Sequence, residues 1–177
     1  MDLRTRCVVV LSALGTLWLA SGTQREHKVL SDVKTGRVAG LEVAYAESDH
    51  DPKKLQELAQ AYLDTSQPGL AIGVIDSAPP EIRHKPQVDH VYARALLDQG
   101  RASDALVVER RVLDTCAANA EGNSPDKCDP WLLASATRRA DILQELVQLG
   151  IDDAQAHPEV SAIAYHNATR QATLAVR

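Results

Sequence analysis

Apolar residues recur along this chain at intervals of three and four, the spacing that gathers them on one stripe of an α-helix. Leu55, Leu58, Ala59, Tyr62 and Leu63 form such a stripe. Asp51-Pro52 opens it, pairing an acid that can cap with a proline suited to the first helical position. Gln67-Pro68-Gly69 breaks it, and a short apolar helix is predicted from Leu70 to Ser77 before Ala78-Pro79-Pro80. Pro86 opens a second pair, helical over Gln87 to Gln99, turned by Gly100, and helical again over Arg101 to Cys116. Asp129-Pro130 starts a further helix, whose stripe of Ile142, Leu143, Leu146, Val147 and Leu149 ends at Gly150. His157-Pro158 starts the last, with Val160, Ile163, Ala164, Ala168 and Ala172 on or near one face. Near the N-terminus Val29, Val33, Leu41 and Tyr45 fall at multiples of four and favour a helix from Val29 to Ala46. Gly36 and Gly40 weaken that helix, and a strand over Val38 to Ala46 competes with it.

The two central helix pairs are related. Shifting the chain by 34 residues aligns 52–79 with 86–113, and seven of the 28 positions agree: Pro52/Pro86, Ala59/Ala93, Ala61/Ala95, Leu63/Leu97, Asp64/Asp98, Ala71/Ala105 and Val74/Val108. Thirty-four is the tetratricopeptide (TPR) period. On the first helix that family wants a large residue, then a small one, then an aromatic or Leu three further on; on the second it wants Ala. Leu58, Ala59, Tyr62 and Ala71 supply these in one unit, and Tyr92, Ala93, Leu96 and Ala105 in the other. Over about residues 52–118 the chain therefore resembles a divergent TPR protein. Asp89 and Glu109 depart from the pattern, standing where large apolar or aromatic residues are expected, and the prolines of SAPPEIRHKP are displaced. Trp131, Leu132 and Ser135 are candidates to begin a third unit. The expected fold is all-α, with TPR-like helix-turn-helix repeats and a C-terminal capping helix.

Composition agrees with close helix packing. The chain holds 26 alanines and no Phe among 177 residues, which suits tightly crossing helices more than a β-sandwich. A formal net charge of -5 argues against a nucleic-acid binder, which would carry a basic surface.

The first 22 residues read as a secretory signal peptide. Arg4 and Arg6 precede the apolar run Cys7–Ala20, and Ala20-Ser21-Gly22 puts small residues before a cut at Thr23. Residues 23–50 would then form a leader and helix, 51–118 the repeats, 119–128 a closed loop and 129–177 the C-terminal helices. The route is export by Sec, to the periplasm or the medium. Cys116 and Cys128 survive cleavage as an even pair around a polar, turn-rich segment, so a disulfide is expected in an oxidising compartment.

Chemical motifs are scarce. HExxH, GxSxG and glycine-rich phosphate loops are all absent from the sequence, and no cofactor is implied. Asp49-His50-Asp51 is read as a solvated turn before a cap, with metal binding the lesser alternative. The leading expectation is a non-enzymatic interaction module of the cell envelope. The TPR resemblance implies a groove lined by first helices, with Lys53, Gln56, Gln60 and Asp64 from one unit and Gln87, His90, Arg94 and Asp98 from the next. Such a groove takes an extended peptide or a partner's helix, and Lys53 and Arg94 are placed to hold an acidic group. The alternatives are a small exported hydrolase or metal-binding protein using His90 or His50 with nearby acids, and a purely structural envelope subunit.

Overall fold

The computed structural model describes residues 32–120 and 128–175. The expected signal peptide over 1–22 lies outside the described residues. The chain divides between Gly36 and Arg37 into two units; of the first, only the opening of one helix is described. All regular structure among the described residues is helical: α1 (Asp32–Ala46), α2 (Pro52–Asp64), α3 (Pro68–Asp76), α4 (Pro80–Arg83), α5 (Pro86–Asp98), α6 (Ala102–Ala120), α7 (Pro130–Gln148) and α8 (Pro158–Ala175).

Proline sets most of these boundaries. Six of the eight described helices begin at one, where the missing N–H costs nothing and φ is already helical. Asp51 and Asp129 add side-chain caps, accepting from the N–H groups of Lys53 at 2.8 Å and Trp131 at 2.9 Å. Helix ends repeat as well. Ser66, Gly100 and Gly150 take left-handed φ of 58°, 75° and 72°. The next N–H in each case returns to a carbonyl five residues back: Gln67 to Tyr62 at 2.8 Å, Arg101 to Leu96 at 3.0 Å and Ile151 to Leu146 at 2.9 Å. These are Schellman closures. The first two stand 34 residues apart, as do the starts of α2 and α5 and those of α3 and α6.

Three expectations need correction. The competing strand over 38–46 is absent, because that stretch is helical throughout. The linker SAPPEIRHKP holds a one-turn helix, α4, nucleated by Pro80. Helix α6 continues past Cys116 to Ala120, so residues 119 and 120, read as loop, are helical.

Two apolar cores meet at α5. Val88, Val91 and Ala95 join Leu55, Leu58, Ala59, Ala71 and Ile75 of α2 and α3. Ala93 and Leu96 join Ala105, Val108, Leu143, Leu146, Ala164 and Ala168 of α6, α7 and α8. The four alanines expected at helix crossings, Ala59, Ala71, Ala93 and Ala105, are all fully buried. On the stripe of α7, Ile142, Leu143 and Leu146 are buried, but Leu149 is exposed; so is Ile163 on α8. A third cluster, Val112, Cys116, Leu132 and Ala136, sits beside a disulfide between Cys116 and Cys128, whose Cα atoms are 5.4 Å apart. This bond ties α6 to the entry of α7. A long-range cap adds to it: Asp152 accepts from the Ser103 N–H at 2.9 Å and hydroxyl at 2.6 Å. The hydroxyl, then the N–H, holds the Asp152 carboxyl below the usual carboxylate range. Gly100 is required twice at this corner, by its positive φ and because a Cβ there would meet that of Asp153 at 3.0 Å.

From Arg37 onward α1 lies on the first core through Val38, Leu41 and Tyr45. The Tyr62 hydroxyl donates to Glu42 at 2.6 Å. Burial, then the Glu42 carboxylate, pushes the Tyr62 phenol from 10.0 up to about 12. A phenol whose pKa rises on folding contributes stability below its unfolded value and loses it as pH climbs through the folded one. The melting temperature should therefore fall between about pH 10 and about pH 12, and fall less in Tyr62→Phe. Parallel losses in the two proteins would contradict the contact.

Candidate functional site

The starts of α2 and α5 lie side by side and enclose a cavity of about 440 Å³, lined by Pro52, Lys53, Gln56, Lys85 and Gln87. Three of the expected groove residues, Lys53, Gln56 and Gln87, are thus brought together. Both helices run 13 residues and point their N-termini at this end, where the helix dipole is positive. Asp51 caps α2, whereas no side chain caps α5. Two lysines and two helix starts make the cavity receptive to an anion, and the glutamines offer further hydrogen bonds.

Farther along the same helices, four expected residues form a connected row. Gln60 donates to Asp64 at 2.8 Å, and Arg94 stands 4.0 Å from Asp64 and 3.9 Å from Asp98. Burial pushes the Asp98 carboxyl up, against the opposing pull of Arg94 and Arg139. Of the two residues expected to hold an acidic group, Lys53 lines the cavity, beside Lys85, while Arg94 stands between Asp64 and Asp98.

His90 departs from the expected surface position. It is buried, at 6% exposure, inside a polar network at the junction of α5, α6 and α7. Its Nδ1 lies 2.5 Å from Glu109 Oε1, and its Nε2 lies 3.0 Å from the Ser135 hydroxyl. Arg139 donates to the His90 carbonyl at 2.6 Å and stands 3.7 Å from Glu109 Oε2. Glu109 is fully buried, and its Oε2 makes no hydrogen bond. Burial lowers the Arg139 pKa, and Glu109 works against that. One residue back on α5, Asp89 is 1% exposed and receives a two-pronged contact from Arg111, 2.7 Å on each oxygen. That pair raises the Arg111 pKa, the hydrogen bonds to Asp89 contributing most. His84 adds a distant contact to Asp89 at 3.7 Å.

The two residues that broke the repeat pattern, Asp89 and Glu109, are the two buried acids among the described residues. Arg111 and Arg139, which meet these acids, and Ser135, which meets His90, escaped the sequence reading as a group because they lie 20 to 50 positions from the residues they meet. The signal available was the acids themselves, since an acid on an apolar stripe must be neutralised. The Asp49-His50-Asp51 turn shows Tyr45 against His50 at 3.4 Å, and the described residues contain no cluster of three or more metal-ligating side chains.

Compared with known proteins, the chain matches no family model, no curated protein and no solved structure.

The Asp89–Arg111 pair is asymmetric, with side-chain exposures of 2% and 41%. Arg111→Met strands a buried carboxylate and should cost about 3–5 kcal/mol in urea unfolding. Asp89→Leu leaves an arginine that can reach water, so its cost should be smaller. The double substitution should recover most of the loss, as apolar replacements of buried ion pairs do. An Arg111→Met variant no less stable than Asp89→Leu would contradict this account.

Proposed function

We propose that the protein is an exported helical-repeat interaction module, TPR-like in arrangement, whose α2–α5 face holds an acidic segment of a protein partner. The observation that carries this reading is the cavity of Lys53, Gln56, Lys85 and Gln87 at two adjacent helix starts. The recurrence of helix starts and closures at 34 residues supports the repeat, since it extends the sequence period to the backbone. Small residues at the crossings, Ala59 with Ala71 and Ala93 with Ala105, permit the close pairing such repeats need. The Cys116–Cys128 disulfide is compatible with an oxidising destination, and the periplasm or the medium is the proposed location. No described helix is long and apolar enough to cross a membrane.

In this reading a carboxylate, from an acidic side chain or a chain end, sits between Lys53 and Lys85 while the peptide runs past Gln60 and Arg94. The mixed signs of Asp64, Arg94 and Asp98 then favour a partner whose acidic end is followed by polar residues. A fluorescent decamer of glutamates with a free C-terminal carboxylate is the probe. Lys53→Glu combined with Lys85→Glu should weaken its binding about 10-fold or more, the equivalent of one lost charge-assisted hydrogen bond. Lys53 is exposed and Lys85 half-buried, so a thermal melt of the double variant checks that it stays folded. Unchanged affinity would refute the anion site.

A further inference from the structure

The network at the α5–α6–α7 junction has an order that structural stabilisation does not require. Ser135, His90 and Glu109 lie in line: hydroxyl to Nε2 at 3.0 Å, and Nδ1 to carboxylate at 2.5 Å. As a carboxylate, Glu109 can only accept, which assigns the ring proton to Nδ1. The 3.1 Å approach of Arg139 to Nδ1 is then no hydrogen bond, and the guanidinium donates to the His90 carbonyl instead. When the ring is neutral, Nε2 then presents its lone pair to the Ser135 hydroxyl. Base and nucleophile are in reach of each other, and a third group holds the base.

This line opens on a cavity. Ser135 is half-buried and lines a pocket of about 170 Å³ with Leu97, Arg138, Arg139, Ile142 and Tyr165. Leu97 and Ile142 suit a short acyl chain. Arg138 and Arg139 line the same pocket and bring positive charge to it, which favours an oxyanion. Glu109, fully buried, is shielded from water that would loosen its hold on His90.

We propose that Ser135 and His90, positioned by Glu109, form an acyl-transfer centre that hydrolyses small carboxylic esters. Ser135 Oγ bonds to the ester carbonyl carbon as its proton passes to His90 Nε2. The bond from that carbon to the alcohol oxygen breaks, and the leaving oxygen takes the proton from Nε2. Water then attacks the acyl-serine carbon, giving a proton to Nε2. The serine oxygen leaves and recovers it, releasing the carboxylic acid. The net change is ester plus water to acid plus alcohol, with no redox partner. The proposal is independent of the anion cavity at α2 and α5.

The folded full-length chain treated with a fluorophosphonate probe should gain a single adduct, mapped to Ser135 by peptide mass. Urea-unfolded protein should gain none. Ser135→Ala, which removes one oxygen, should abolish both the adduct and the hydrolysis of p-nitrophenyl acetate. His90→Gln should slow labelling roughly 100-fold or more, the scale of a lost general base. Glu109→Gln tests the positioning role, since it should lower kcat for the acetate ester while leaving KM unchanged. Labelling of Ser135 no stronger than that of exposed Ser77 and Ser103 would overturn the proposal. So would Ser135→Ala hydrolysing the ester as fast as its parent.

Discussion

Helix α5 is buried on two sides, and it carries two polar residues, Asp89 and His90, into that burial. Everything around it must answer this. An unpaired buried carboxylate costs several kcal/mol, so neither acid at this junction is tolerable without a counterpart. Helix α6 answers Asp89 with Arg111 and offers Glu109 to His90 in return. Donor and acceptor thus alternate between the helices, at adjacent positions on α5 and two positions apart on α6. A one-turn slip of α6 along α5 would strand Asp89 and Glu109 together. Helix α7 completes the arrangement through Ser135 and Arg139, and the Cys116–Cys128 disulfide ties its entry to α6.

This inner arrangement leaves the outer face of α5 free for other work. Gln87, Arg94 and Asp98 face outward while Asp89, His90 and Ala93 face inward. The inward residues set the position of α5 against α6 and α7, and through Val88 and Val91 its position against α2. The cavity at Lys53 and Lys85 therefore depends on contacts made on the opposite side of the helix. A rigid backbone beneath a polar surface is what a peptide site needs, because ordering the site on binding would consume affinity.

Most of the helical framework was legible in the sequence, for local reasons. Proline at the first helical position, glycine in a left-handed turn and leucine or alanine at helical spacing each act within a few residues, and the structure uses Pro52, Pro86, Gly100 and Gly150 so, while Pro68, read as a break, starts α3. The one-turn helix α4 was missed because its prolines read equally well as a break. The TPR resemblance put Lys53, Gln56, Gln87 and His90 on one face; the first three line one cavity, whereas His90 is buried against Glu109, 19 positions away. Asp89 and Glu109 were visible as departures from a repeat pattern. What they meet depends on how α6 and α7 fold back, and no local spacing records that.

The account rests most heavily on His90 and Glu109 being partners rather than separately tolerated polar residues. A double-mutant cycle in urea unfolding, with His90→Leu, Glu109→Leu and both together, measures this directly. The account predicts that the double variant is more stable than the sum of the single losses implies, with a coupling of roughly 1–3 kcal/mol, the range for residues in one network. Single losses that add to within about 0.3 kcal/mol would show independent sites and contradict it.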